Sequence, residues 1–167
     1  MAPSSNTLCR GLHFVKTTNR NFALLVLSGA IRWKGNHHVD EKYIDALKAL
    51  SEPNRLRLFW LFLHVDECMA VAEAMDIIGE TQYNVSRNLK MLYKAGLLNH
   101  EKKGKWVFYT LKEQNAPHCK ALVDSVRHLP EDDFKEVVKR CLIRLSMRVD
   151  GECVVGPDSE VWHSKIK

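Results

Sequence analysis

The chain has 167 residues, of which 46% are hydrophobic and 27% are charged, which suits one domain with a core and extensions. A formal net charge of +5 and a pI near 9.0 favour an acidic partner such as DNA. The five cysteines are widely spaced and form no CxxC pair, which is not typical of a secreted disulfide framework. No run approaches the roughly 18 apolar residues of a membrane helix, so we expect no membrane association.

Residues 1–38 have the weakest pattern. Phe22–Ile31 is apolar and follows basic residues, which resembles a weak signal peptide. The arm upstream of this run is long for a signal peptide. We therefore expect an N-terminal extension of unassigned structure and a cytoplasmic protein.

Three helices are predicted before residue 79. The first is Val39–Leu50, with Asp40 as its N-cap. Its apolar face consists of Tyr43, Ile44, Leu47 and Leu50. The second runs from about residue 51 to 64 and is nearly apolar all round, so it should be central. The third is Met69–Ile78.

The stretch after Ile78 predicts a helix with one buried and one polar, basic face. Gly79 is suited to the left-handed position that ends a helix, and Thr81 is a good N-cap for a helix over 81–94. The residues expected to face inward are Val85, Leu89, Met91, Leu92, Ala95 and Leu97. Those left for the outer face are Gln82, Tyr83, Asn84, Ser86, Arg87 and Lys90. Amide side chains can bond adenine, and Arg or Lys can bond guanine or phosphate; a solvated surface helix is the alternative.

A basic hairpin follows this helix. Leu97–His100 predicts one strand and Trp106–Thr110 a stronger one, rich in aromatic and β-branched residues. The turn between them carries Lys102, Lys103 and Lys105, which suit contacts with phosphates. A helix followed by a lysine-tipped hairpin is typical of a winged helix-turn-helix.

Four segments together resemble the ArsR/SmtB family of bacterial repressors. Leu50–Leu58 is similar to that family's L-a-D-P-T-R-L-R-I-L, and Thr81–Leu92 is similar to S-Q-S-T-V-S-R-H-L-K-V-L. Ala95–Leu98 and Gly104–Tyr109 match A-G-L-V and G-R-W-V-Y-Y. The resemblance covers residues 41–112, and it implies a homodimer that binds a double-stranded DNA operator and is released by a metal, a metalloid or an oxidant. DNA binding itself would need no cofactor.

The expected fold is therefore mainly α (α+β): a winged helix-turn-helix over residues 39–112 with a two-stranded wing and extra C-terminal helices. Two helices, Ala116–His128 and Glu131–Arg148, are predicted within residues 113–150, where we expect dimerisation. The second has an inner stripe that includes Val137, Cys141 and Leu142, and basic residues gather at its end, as the helix dipole prefers. Residues 151–167 are polar and predict a flexible tail.

The cysteines are the candidate sensors, although the family's C-V-C pattern is absent, since Ala70 and Ala72 stand at those positions. A trivalent arsenic or antimony site needs about three soft sulfur ligands. Cys68 at a predicted helix start, Cys119 near the end of the wing and Cys153 in the tail are the candidates for an As(III) or Sb(III) site. Cys141 is expected in the core.

Other hypotheses stay open. In one of them, oxidation links two of the thiols. In another, the protein is a winged-helix regulator that senses no metal. A zinc or nickel site could use His118, Asp124, His128 and Glu131. Two different functional classes are an enzyme with Cys68 as a nucleophile beside His64, and a winged-helix adaptor for other proteins.

Overall fold

The computed structural model describes residues 40–65 and 67–167; the predictions for residues 1–38 lie outside the described residues. The helices of the described part are α1 Glu41–Leu50, α2 Pro53–Val65, α3 Val71–Ile78, α4 Gln82–Lys94, α5 Pro117–Arg127, α6 Lys135–Leu145 and α7 Glu160–Ile166. The strands are β1 Met69–Ala70, β2 Leu98–Lys103 and β3 Trp106–Leu111, and a 3₁₀ turn spans Glu131–Phe134. This is the expected mainly α winged helix-turn-helix.

Helix α2 lies at the centre of the core, as its composition predicts. Its residues Leu58 to Phe62 are all buried, and helices α1, α3, α4 and α5 pack around it. Helix α1 begins where the sequence places its N-cap, because the Asp40 carboxylate accepts a hydrogen bond of 3.0 Å from the Lys42 backbone N–H.

The turn between α3 and α4 is built by the two residues that the sequence indicates. Gly79 has φ = +76°, and its N–H donates to the carbonyl of Met75 at 2.8 Å. The Thr81 hydroxyl accepts from the Asn84 N–H at 3.4 Å. These bonds end one helix and start the next, so the two helices of the motif are set by local chemistry.

Helix α4 packs on the core through one stripe, formed by Val85, Leu89 and Leu92. The expectation that Met91 faces inward is wrong, because its side chain is exposed. Met91 follows Leu89 by two residues, and two residues turn a helix by about 200°, so both cannot face the core.

The sheet has three strands in the order β1-β3-β2, all antiparallel. Strand β1 was missed by the sequence analysis, which assigned Met69 and Ala70 to a helix. Both residues are instead extended and pair with Tyr109 and Phe108 of β3. The third helix therefore starts only at Val71.

The second C-terminal helix is shorter than predicted, and one residue of its expected inner face lies outside. It ends at Leu145 and is preceded by a 3₁₀ turn. Val137 and Cys141 are buried as predicted, but Leu142 is 58% exposed, whereas Arg144 is fully buried. Arg144 lies inside because it is paired with Asp76 of α3 at 2.7 Å.

The prediction of a flexible tail over residues 151–167 is wrong. Asp150 and Gly151 have φ = +51° and +77° and form a tight turn closed by two bonds between Val149 and Glu152. Helix α7 follows, capped by Ser159, and its Trp162 is buried. Burial of an indole is strongly favourable, which explains why this polar segment folds back.

Candidate nucleic-acid interface and thiol sites

The outer face of α4 is polar and exposed. Gln82, Asn84, Arg87 and Lys90 are exposed, Ser86 is half-buried, and Tyr83 at the first turn is 73% exposed. Within the described part of the chain, the side chains of Gln82, Arg87 and Lys90 make no hydrogen bond or ion pair. Asn84 alone is engaged, donating to a Glu80 carboxylate oxygen at 2.9 Å. The face is thus available to a ligand.

The wing projects three exposed lysines beside this helix. Lys103 lies 3.3 Å from a carboxylate oxygen of Glu101. The Lys105 ammonium lies 4.8 Å from the centre of the Trp106 ring. Lys102 makes neither kind of contact within residues 40–65 and 67–167. Exposed pairs of this sort are weak and can exchange for a phosphate.

The helix that precedes α4 is held by buried charges that the sequence analysis missed. Glu73 accepts two hydrogen bonds from the Arg148 guanidinium, at 2.7 and 2.8 Å, and one from the Ala70 N–H at 2.8 Å. Asp76 accepts from Arg144 Nε at 2.7 Å and from the Asp158 N–H at 2.8 Å. The pKa of Arg148 is raised, chiefly by its hydrogen bond to Glu73. Helix α3 is therefore fastened to the C-terminal segment by charge-assisted bonds.

A spacing in the sequence could have indicated these bonds. Arg140, Arg144 and Arg148 recur every four residues, which places them on one face of α6 and the turn after it. The helix dipole alone does not account for the basic end of this helix. The carboxylate partners of Arg144 and Arg148, Asp76 and Glu73, are separated by three residues on α3, the matching helical spacing. Arg140 instead donates to the backbone carbonyl of Asp76.

The structure brings together two of the three cysteines predicted as metal ligands. Cys68 and Cys153 line one open pocket of about 430 Å³ beside the wing, together with the turn residues Lys103, Gly104 and Lys105. Cys119 lies apart from them, in a groove beside α1, and its sulfur is 3.0 Å from Nε2 of His118. The three thiols thus do not form one site within the described subunit.

The predicted position of Cys68 is wrong, whereas that of Cys141 is confirmed. Cys68 is not at a helix start, because β1 stands between it and α3, so the helix dipole does not act on it. Cys141 is fully buried, as predicted, and burial raises the pKa of its thiol to about 12. Cys141 is therefore an inert core residue at neutral pH.

The histidine hypotheses gain no support from the geometry. His64 stacks on Trp60 with ring centres 3.7 Å apart, and its Nδ1 contacts the Trp60 carbonyl at 2.9 Å. His128 Nδ1 contacts the Asp124 carbonyl oxygen at 2.7 Å. In the described residues, no group of three or more His, Cys, Asp or Glu side chains is arranged to hold a metal ion.

Comparison with known proteins relates this chain to one family. Residues 50–101 match a family model described as a helix-turn-helix domain. A helix-turn-helix-type transcriptional regulator of Methanocaldococcus jannaschii is 31% identical over 86 residues, which are 52% of this chain and 96% of that protein. The arsenical resistance operon repressor of Bacillus subtilis is 32% identical over 73 residues, 44% of this chain and 69% of that protein. The chain belongs to the ArsR/SmtB family of transcriptional regulators.

Among solved structures, reduced HlyU from Vibrio cholerae is 29% identical, with a TM-score of 0.43 and coverage of 52% of this chain and 85% of that one. The match with the helix-turn-helix model ends at residue 101, so the second wing strand and the C-terminal helices of this ArsR/SmtB regulator lie outside it. The matched family members are DNA-binding regulators and not enzymes, which decides against the hypothesis of an enzyme built on Cys68 and His64. No helix in the described ranges is long and apolar enough to cross a membrane.

Proposed function

We propose that this ArsR/SmtB regulator is a homodimeric repressor that binds an operator in the cytoplasm and releases it when an effector acts on its cysteines. The observation that carries the proposal is the exposed, unpaired polar face of α4 with the lysine-tipped wing beside it. In a helix-turn-helix, the start of the second helix touches base edges. Helix α4 would enter the major groove with Gln82, Tyr83, Asn84, Ser86, Arg87 and Lys90. The wing residues Lys102, Lys103 and Lys105 would contact flanking phosphates.

Arg87→Ala tests the reading helix. Loss of a side chain that bonds a base should weaken operator binding by about 1–3 kcal/mol, roughly 5- to 150-fold, and should relax selectivity at one position. Lys139→Ala is the control, because Lys139 is also an exposed basic residue but lies on α6. Fluorescence anisotropy on a duplex selected from a random pool measures both. Equal losses of operator affinity for the two variants would contradict the assignment of α4 as the helix that contacts bases.

Lys102→Ala tests the wing. A phosphate contact contributes about 0.9 to the slope of log affinity against log salt, without sequence preference. Its loss should lower the slope by about that amount and weaken all duplexes alike. A change confined to one sequence would contradict a phosphate role.

The homodimer is supported by an apolar surface on α1. Tyr43, Ile44 and Leu47 are exposed, with Leu47 at 60%, although the helix was expected to bury this face. Next to them runs an open groove of about 890 Å³ whose far wall includes Leu122 of α5. A second copy, packing its α1 and α5 here, would cover this surface and present two copies of α4 to half-sites one helical turn apart. Residues 113–150 would then serve dimerisation, as the sequence predicts.

Leu47→Glu should dissociate this dimer, since it places a charge in an apolar interface. Leu142→Glu is the control, because Leu142 of α6 is equally exposed but lies outside the groove. Analytical ultracentrifugation should show a monomer for the first variant and a dimer for the second. A dimer for both would place the interface elsewhere.

The effector is proposed to act on thiols. Relatives are named as an arsenical resistance operon repressor and a cadmium resistance regulatory protein, which supports a thiophilic ion such as As(III) or Sb(III). A three-thiolate site of Cys68, Cys119 and Cys153 would require residues of two subunits, given that Cys119 lies apart. Oxidation of two thiols is the second candidate, favoured by the pocket that Cys68 and Cys153 share. Titration of the reduced dimer with arsenite, with thiol counting, distinguishes three consumed thiols from two.

A further inference from the structure

The pocket beside the wing contains two thiols, Cys68 and Cys153, that lie 85 residues apart in the chain. Cys68 comes just before β1, and Cys153 follows the last turn after α6. The rest of its wall includes Lys105, Trp106 and Phe108 of the wing. A chemical change at these thiols would therefore occur where the C-terminal segment meets the wing.

Strand geometry places both sulfurs on one face of the sheet. Successive side chains of a strand alternate between faces, so Cys68 and Ala70 lie on one side and Met69 on the other. Met69 is part of the main core, whereas Ala70 packs with Phe108 and Cys153 in a second apolar cluster. Cys68 packs against that same cluster. The two cysteines are thus neighbours across one small apolar layer.

Cys153 is held in place from both sides. The tight turn at Asp150 and Gly151 precedes it. Two residues after it, the carbonyl of Val155 accepts from the buried Arg144 guanidinium at 2.7 Å and lies 3.6 Å from the Cys153 sulfur. This anchoring presents Cys153 to the pocket as part of a fixed segment.

The two thiols differ in exposure and surroundings. Cys68 is half-buried, and its backbone carbonyl accepts from the Arg148 guanidinium, which places a cation beside it. Cys153 is only 4% exposed, and burial raises the pKa of its thiol, although Arg144 nearby opposes that rise. Cys68 is the thiol that a solvent-borne reagent can reach, and Cys153 is the thiol behind it.

We propose that Cys68 and Cys153 are a dithiol switch, with Cys68 attacking a hydroperoxide and Cys153 resolving the product into a disulfide. The Cys68 thiolate attacks one peroxide oxygen, the O–O bond breaks, and the leaving oxygen takes a proton, so that Cys68 becomes a sulfenic acid. The Cys153 sulfur then attacks the sulfenic sulfur, an S–S bond forms, and the hydroxyl leaves with the Cys153 proton as water. The two thiols are oxidised by two electrons in total, and the hydroperoxide is reduced by two.

A disulfide suits this pocket better than a multidentate metal site. No third His, Cys, Asp or Glu joins the two thiols in a metal-holding arrangement within the described residues. Zinc and trivalent arsenic require three or four ligands, which the pocket does not offer from one subunit. A two-coordinate soft cation is the competing occupant, and it is an outcome of the test below.

Closing the disulfide would tie the turn after α6 to the chain just before β1, the edge strand that pairs with the wing. The same segment leads into α3, whose Glu73 is bonded to Arg148. The pairing itself does not depend on DNA binding. Its consequence rests on the proposed function: the wing and α4 would lose their alignment, and operator affinity should fall at least about tenfold.

The experiment treats the reduced full chain with hydrogen peroxide and follows three readouts. Intact mass should show the loss of two hydrogens, and peptide mapping after thiol blocking should give a Cys68–Cys153 link. Anisotropy with a duplex selected by the reduced protein should show the drop in affinity. Cys68→Ser should abolish both the link and the drop, and Cys153→Ser should leave a sulfenic acid on Cys68. Cys119→Ser, which removes a half-buried thiol outside the pocket, should still form the link.

Several results would overturn the proposal or part of it. A link between other cysteines, or oxidation of Cys68 past the sulfenic acid without any link, refutes the pair. Silver ion bound at one equivalent by both thiols, with no disulfide after peroxide, assigns the pocket to a soft cation instead. A link without a change in affinity removes the regulatory role. If the reduced protein selects no duplex, the proposed operator binding fails, and the mass readout still decides the thiol pair.

Discussion

Asp76→Asn should expose how much the buried ion pair between α3 and α6 contributes to the fold. Arg144 is fully buried, the Asp76 side chain is 4% exposed, and Nε and Oδ2 are 2.7 Å apart. The substitution keeps the size of the side chain and removes its charge, so that the Arg144 guanidinium is left without a counterion. Removal of one partner of a buried pair costs about 3–5 kcal/mol. We expect the free energy of unfolding to fall by that amount.

Two comparisons isolate the charge effect. Asp124→Asn breaks the pair with Arg127, whose side chains are 48% and 57% exposed, and should cost less than about 1 kcal/mol. Asp76→Asn combined with Arg144→Met removes both buried charges and should recover much of the loss, because no buried charge is then left without a counterion. Urea unfolding followed by circular dichroism measures all three. The reasoning is refuted if Asp76→Asn costs no more than Asp124→Asn, or if the double variant is less stable than the single one.

Two further predictions concern backbone strain and pH. Gly79→Ala should destabilise the protein by about 1–2 kcal/mol, since φ is +76° there and an added Cβ would lie 3.4 Å from Arg140 Nη2. Gly156→Ala, where an added Cβ meets nothing within 4 Å, is the control in thermal unfolding, and equal losses would contradict the strain. Burial raises the pKa of Cys141 from 9.0 to about 12, so folding favours its protonated form and stability should fall as pH rises above 9. Cys141→Ala should flatten that decline, and an unchanged slope in denaturant titrations at several pH values would contradict the assignment.

The elements set by local chemistry were predictable from the sequence. Gly79 ends a helix because of its freedom at positive φ, and Thr81 begins the next because its hydroxyl replaces a missing acceptor. The aromatic and β-branched run of β3 likewise forms its strand irrespective of distant partners. In each case the residue and its effect lie within a few positions of one another, so no tertiary information is needed.

The wrong predictions occur where the local structure is determined by a residue that is distant in the sequence. Met69 and Ala70 have helical neighbours, but pairing with Tyr109 and Phe108 makes them a strand. Leu142 has the periodicity of a core residue but is exposed, whereas Arg144 is held inside by Asp76, which is 68 positions away in the chain. A prediction from hydrophobic periodicity assumes that charged residues face water. That assumption fails where a buried carboxylate binds the charged residue.

The candidate sites follow the same division. The exposed face of α4 and the lysines of the wing could be located from the sequence, because a face of a helix and the tip of a hairpin are local properties. The neighbourhood of Cys68 and Cys153 depends on the turn at Asp150 and Gly151, an Asp-Gly pair that the sequence does contain. No local pattern predicts the direction that the chain takes after that turn. Arg144 of α6 and Arg148 just after it determine the path. By binding Asp76 and Glu73 they fix the C-terminal segment against α3, and so place a thiol from the tail beside the strand that pairs with the wing.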